Sequence, residues 1–184
     1  MEDNIKFVKE YTIPTDVFRE GYRAYQKKTI YPRNTIFMVI FLILAANFVY
    51  GAVYAPDNYL AYILIVVCLF MAFRQWYNPR KMRRSYVESF AEMGEPVYRL
   101  TVADDYAEIG TVSAEPVVEA FDEDGESHSE PLPEATRINF GIDTDILEGE
   151  SYFVLINGKT AVYILPKAVF SADEQDIIRN ISKS

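Results

Sequence analysis

Thr35-Ile36-Phe37-Met38-Val39-Ile40-Phe41-Leu42-Ile43-Leu44-Ala45-Ala46-Asn47-Phe48-Val49-Tyr50-Gly51-Ala52-Val53-Tyr54-Ala55 is the stretch that decides the architecture: 21 residues without a formal charge. A helix needs about 20 such residues to cross the hydrocarbon core of a bilayer, so the run predicts a membrane-spanning helix. It shows no helical period of polar residues, as a surface helix of a water-soluble protein would. Asn47 and Gly51 are expected to face a partner helix, where polar and small residues favour packing.

Pro56-Asp57-Asn58 follows as a turn signal, and Tyr59 to Phe73 is a second apolar run of 15 residues. Counted from Asn58 to Tyr77 the span reaches 20 residues, provided that Arg74 extends its guanidinium to the headgroups. Tyr54 and Tyr59 at one end, and Trp76 and Tyr77 at the other, suit the aromatic belts of a membrane interface. Lys27, Lys28 and Arg33 precede the first run, basic residues follow the second, and the connecting turn has none. Basic flanks stay cytoplasmic. The expectation is a multi-pass protein of the bacterial inner (plasma) membrane with both termini inside. Arg80, Lys81, Arg83 and Arg84 are candidate contacts to anionic headgroups, each contributing about 1 kcal/mol. The opening Met1-Glu2-Asp3-Asn4 is acidic where a secretory signal is basic.

Outside the apolar runs the chain is polar and charged. Lys6 to Ile13 reads as a strand, and Pro14-Thr15-Asp16 as a helix start with Thr15 at the N-cap, leading to about Lys28. Whether this strand joins a later sheet stays open. After the hairpin, Met82, Tyr86, Phe90 and Met93 mark a helix over 81–93, ended by Gly94-Glu95-Pro96. Short strands are then expected over 97–102, 106–112, 116–121, 136–142, 144–147, 152–156 and 160–165. A polar loop covers 122–135, and Asn157-Gly158 is a hairpin turn. Ser171-Ala172-Asp173-Glu174 is a capping box for a last helix with Ile177, Ile178 and Ile181 on one face. The expected fold is therefore an α+β membrane protein: a two-helix transmembrane hairpin plus a small antiparallel β domain closed by a C-terminal helix. Its divisions are 1–33, 34–77, a juxtamembrane basic helix over 78–96, and 97–184.

Residues 97–184 hold 18 acidic and 6 basic side chains, a net −12, against +3 for residues 1–96. Such a domain is repelled by nucleic acid and by anionic lipid, and attracts partners with basic faces. The single cysteine, Cys68, lies in the apolar stretch and excludes an intramolecular disulfide. The single histidine, His128, sits in the acidic loop and is too few for a histidine-based zinc site. The loop's ligand order does not match an EF-hand. The sequence contains no phosphate-binding glycine loop, dinucleotide fingerprint or catalytic cysteine context. No catalytic residue, cofactor or metal is expected, and the chain reads as a non-enzyme.

The run Val162-Tyr163-Ile164-Leu165-Pro166-Lys167-Ala168-Val169-Phe170-Ser171, with an acidic helix start after it, resembles the YcxB-like family of bacterial membrane proteins. Phe140 to Phe153, with Glu148 and Tyr152-Phe153, resembles the family's preceding stretch, although Phe140 stands where a tryptophan is usual. The resemblance implies two membrane helices followed by a domain similar to bacterial pleckstrin-homology-like folds, and no activity. Its most specific residues are Leu165, Pro166, Lys167 and Phe170, with Lys167 readable as a structural turn or as a functional lysine. The leading functional expectation is a membrane-anchored interaction or regulatory module. Its alternatives are a lipid-binding domain, an immunity protein against a basic toxin, and an accessory subunit of a membrane complex. Lipid binding would require several of Arg99, Arg137, Lys159, Lys167, Arg179 and Lys183 to converge. Membrane lipids and a protein with a basic face are the expected partners. Nucleic acid is not, and a homo-oligomer is compatible with the hairpin.

Overall fold

The computed structural model describes residues 4–94, 96–113, 134–141, 144–158 and 161–181. The expected strand over 116–121, the acidic loop with His128, and Lys159 and Lys183 lie outside the described residues. The chain is α+β and divides by packing into two units, residues 25–85 and residues 1–24 with 86–184. The sequence-based divisions followed solvent preference, whereas these follow packing.

In the helical unit, α2 (Tyr31–Tyr54) and α3 (Tyr59–Glu92, whose last turns belong to the other unit) form a hairpin. The intervening turn is closed by the Asn58 N–H on the Ala55 carbonyl at 3.0 Å. Both helices are long and apolar enough to cross a membrane. Tyr31, Asn34, Met38, Phe41, Ala45, Phe48 and Ala52 are the covered positions along α2, alternately three and four residues apart. Ala61, Ile65, Cys68, Ala72, Gln75 and Pro79 repeat that spacing on α3. A 3.5-residue period marks the face along which one helix meets another. Its most deeply buried members include the small residues Ala45, Ala52, Ala61, Cys68 and Ala72, a residue type that favours packing between apolar helices. Asn47 and Gly51 are exposed, contrary to expectation, because the seam passes through positions 45, 48 and 52 and turns them outward.

Two irregularities mark the polar end of this hairpin. Helical residues run unbroken from Thr15 to Tyr54, and Gln26–Ile30 within that run is π-helical. On α3, Pro79 lies inside the helix, where it has no N–H for the Gln75 carbonyl. Asn34 Nδ2 reaches that carbonyl at 3.5 Å, and Arg80 Nη1 donates to the neighbouring Trp76 carbonyl at 2.6 Å. These side-chain donors let the helix continue through proline. The basic helix expected to begin near Lys81 is therefore the continuation of the second apolar helix, not a separate element.

In the other unit, β1 (Ile5–Tyr11), β2 (Val97–Ala103), β3 (Tyr106–Ser113) and β4 (Thr136–Asn139) form an antiparallel sheet in that order. β5 (Thr144–Glu148), β6 (Tyr152–Asn157) and β7 (Ala161–Pro166) form a second. The N-terminal strand thus joins the later sheet, with Val8 opposite Thr101 and Tyr11 opposite Tyr98. The antiparallel β domain expected from the sequence thus consists of two sheets. The Thr144 N–H on the Gly141 carbonyl, at 2.9 Å, turns the chain out of β4 before it starts the second sheet. Leu100, Val102, Ala107 and Ile138 from the first sheet are buried in the core of this unit, as are Phe153, Val154, Leu155 and Leu165 from the second. Four consecutive buried residues in β6, Phe153 to Ile156, mean that both faces of this central strand are covered.

α1 (Thr15–Tyr25) belongs to this unit except for its last residue, and packs through Gly21 on Ile164 of β7. Thr15 is its first helical residue, not its cap. The Pro14 carbonyl accepts from the Phe18 N–H at 2.9 Å, which places Pro14 at the cap position. α3 ends at Glu92, and Gly94 follows with φ +76°, the left-handed conformation that commonly terminates a helix. α4 (Ala172–Asn180) carries the expected capping box: Ser171 Oγ accepts from the Glu174 N–H at 3.3 Å, and Glu174 Oε2 from the Ser171 N–H at 2.7 Å. Ile178 and Ile181 are buried beneath it.

Candidate functional site

The sheet-containing unit has an open groove of about 360 Å³ with mostly apolar walls. Tyr11 of β1, Phe18 of α1, Phe90 of α3, Tyr98 of β2 and Tyr163 of β7 contribute aromatic side chains to it. Phe18 and Phe90 stack at 4.0 Å between centroids, and Tyr11 and Tyr98 meet at 5.8 Å. Strand pairing places Tyr98 beside Tyr11, since the two are cross-strand partners. Tyr11 is 4% exposed, and burial pushes its hydroxyl well above the usual tyrosine range, with Tyr98 and Tyr163 adding to the effect. A neutral phenol donates a hydrogen bond without bringing charge into an apolar wall. Ser89, Thr111 and Glu134 supply the polar rim. A groove of this size and chemistry accepts an apolar or aromatic group and orients it through a few hydroxyls. Among the described residues no group of three or more metal-ligating side chains occurs.

The residues carrying the family resemblance gather elsewhere in the unit. Lys167 Nζ donates to Glu148 Oε1 at 2.5 Å, and Arg179 grips the same carboxylate through Nε at 3.1 Å and Nη2 at 2.9 Å. Both cations lie against Phe153, 4.8 and 5.6 Å from the ring centroid. The Arg179 and Lys167 donors draw the Glu148 pKa down to about 2. Pro166 faces Tyr152 in the β6–β7 ladder, and Lys167 opens a short 3₁₀ turn whose N–H donates to the Ser151 carbonyl at 2.9 Å. Leu165 is buried, and Phe170 is buried edge-on to Phe7 of β1 at 6.2 Å. Lys167 is therefore committed to a carboxylate that ties α4 to β5, and Phe170 ties β1 to the same corner.

Of the basic side chains weighed for lipid binding, the four among the described residues have acidic or aromatic partners. Arg99 pairs with Glu10 at 2.6 Å, Arg137 covers Tyr106 at 3.5 Å, and Lys167 and Arg179 meet at the Glu148 carboxylate and the Phe153 ring. Of the candidate membrane-surface contacts, Arg80 lies 4.2 Å over the Trp76 ring, Lys81 and Arg84 are exposed, and Arg83 is half-buried. The tyrosine groove was not visible in the sequence, because its walls come from elements more than 80 residues apart, such as Tyr11 and Tyr98. Gln26 was also missed, and no sequence signal separates it from its polar neighbours. In comparisons with protein-family models, curated proteins and solved structures, none matches this chain.

Proposed function

We propose that this chain is a membrane-anchored, non-enzymatic interaction module. Its hairpin spans the inner membrane with both termini cytoplasmic, and its sheet-containing unit engages a protein partner. The observation that carries the reading is the exposure of the apolar helices. Only 11% of the most apolar window of the first and 17% of that of the second are buried. A core helix of a water-soluble protein is covered by its own chain, whereas these surfaces need lipid.

The antiparallel sheets closed by α4 are compatible with the pleckstrin-homology-like architecture that the YcxB-like resemblance implies. The net charge of −12 over residues 97–184 favours a partner with a basic face, and the tyrosine groove suits an apolar or aromatic anchor from it. An immunity protein against a basic toxin is one form of this reading.

The test is co-purification from mild-detergent membranes, with full-length protein and a Thr111→Arg variant that fills the groove from β3. A partner captured by wild type and lost with Thr111→Arg supports the module. Recovery of the chain in the soluble fraction after alkaline washing overturns the anchoring.

A further inference from the structure

At the polar end of the hairpin a cavity of about 220 Å³ opens between the first turns of α2 and the Pro79 region of α3. We infer that it holds the phosphate headgroup of an anionic phospholipid, an inference that rests on the membrane-spanning reading above. Its polar lining is rich in hydrogen-bond donors: the guanidinium of Arg80, the indole of Trp76, the hydroxyls of Tyr31 and Thr35, and the amides of Asn34 and Gln75. No carboxylate lines it. Among the described residues Arg80 has no acidic partner. It stacks on Trp76 and gives Nη1 to the Trp76 carbonyl, which holds the planar fork in place and leaves its other N–H groups for an anion. A guanidinium held this way is suited to two phosphate oxygens at once.

The position of the cavity selects an amphiphile over a free anion. Its lining on α2 runs from Tyr31 to Met38, about 10 Å along the helix. The lower part of that distance already lies within the uncharged run beginning at Thr35. A lipid phosphate at Arg80 would therefore have its acyl chains beside Met38 and the exposed Ile36 and Phe37. Inorganic phosphate has nothing to place there. The proline makes the site: the donors it calls in from Asn34 and Arg80 are the groups that line the cavity.

Trp76 is the only tryptophan in the chain, so its fluorescence reports on this cavity alone. The experiment is to reconstitute the full chain in phosphatidylcholine vesicles carrying matched fractions of brominated phosphatidylglycerol or brominated phosphatidylcholine. The expected result is stronger quenching by the anionic lipid. Arg80→Gln should reduce that preference about fivefold, while Lys27→Gln, which removes the same charge from an exposed position outside the lining, leaves it intact. Equal quenching by both lipids overturns the headgroup site and leaves the spanning reading standing. No quenching by either overturns both. Equal loss in the two variants reduces the effect to diffuse attraction, and relief of quenching by added inorganic phosphate assigns the cavity to free phosphate; either result overturns the lipid site.

Discussion

The side-chain amide of Gln26 donates to the main-chain carbonyl of Pro79 at 2.8 Å, joining the π-helical segment of one helix to the proline turn of the other. Gln26 is fully buried, and its Oε1 has no hydrogen-bond partner among the described residues. π-Helical insertions and helix-interior prolines are both locally unfavourable. Their meeting at one hydrogen bond indicates that each irregularity accommodates the other.

Gln26→Ala is expected to destabilise the hairpin by about 2 kcal/mol, through the lost hydrogen bond and the cavity left behind. Gln26→Leu should cost less, since it fills the volume and also removes the unpartnered oxygen. Thermal unfolding in mild detergent orders the three proteins. Equal stability of wild type and Gln26→Ala would remove Gln26 from any structural role.

The seam of small residues makes a sharper contrast. Ala52 is 6% exposed, whereas Asn47 is exposed. Ala52→Leu should overpack the helix pair and cost about 1–3 kcal/mol. Asn47→Leu should change hairpin stability by no more than about 0.5 kcal/mol. Denaturant unfolding in detergent micelles, followed by Trp76 fluorescence, tests both. A large effect of Asn47→Leu with none from Ala52→Leu would refute the seam.

Glu148 contributes to the acid response of the sheet-containing unit. Its pKa is about 2 in the fold against 4.5 for the free group, so the folded state favours the carboxylate. The stabilisation is complete above pH 4.5 and is lost as pH falls toward 2. Wild type should therefore lose more stability across that window than Glu148→Gln, with the two profiles parallel above it. Urea titrations at a series of pH values measure the difference, and parallel profiles throughout would show that the Lys167–Glu148–Arg179 cluster contributes nothing.

Gly21 lets α1 lie directly on β7, since a Cβ there would come within 3.0 Å of Ile164 Cγ2. Gly21→Leu should destabilise the unit by about 2 kcal/mol, because a buried overpacking forces the neighbours apart. Adding Ile164→Ala should recover part of that loss, because it removes the obstructing atoms. A double-mutant cycle by urea unfolding reads the coupling. Simple additivity would mean that the helix and strand do not contact through this pair.

Much of the β region is legible because local chemistry dictates it. Asn157-Gly158 turns with Gly158 at φ +59°, and Ser171 and Glu174 form the capping box their spacing announces. The hairpin follows from the length and apolarity of two runs separated by a proline turn. The helix-pair seam was not legible, because both runs are apolar all round and the seam is written in side-chain size. The continuity of α3 through Pro79 was not legible for a different reason: the donors that allow a helix to pass through it include a residue 45 positions away, Asn34.

By itself the sequence determined which segments are long and apolar enough to cross a membrane, where most of the described strands and the last helix lie, and how charge divides between the chain's two parts. These depend on residues close together along the chain, whose propensities and solvent preferences act before any packing exists. Tertiary structure alone decided that β1 is the first strand of the later sheet, that Lys167 serves Glu148, and that Tyr11 and Tyr98 share a groove. It also decided which face of each apolar helix meets the other. Each of these is a pairing across long chain separation, set by which surfaces fit once the elements exist.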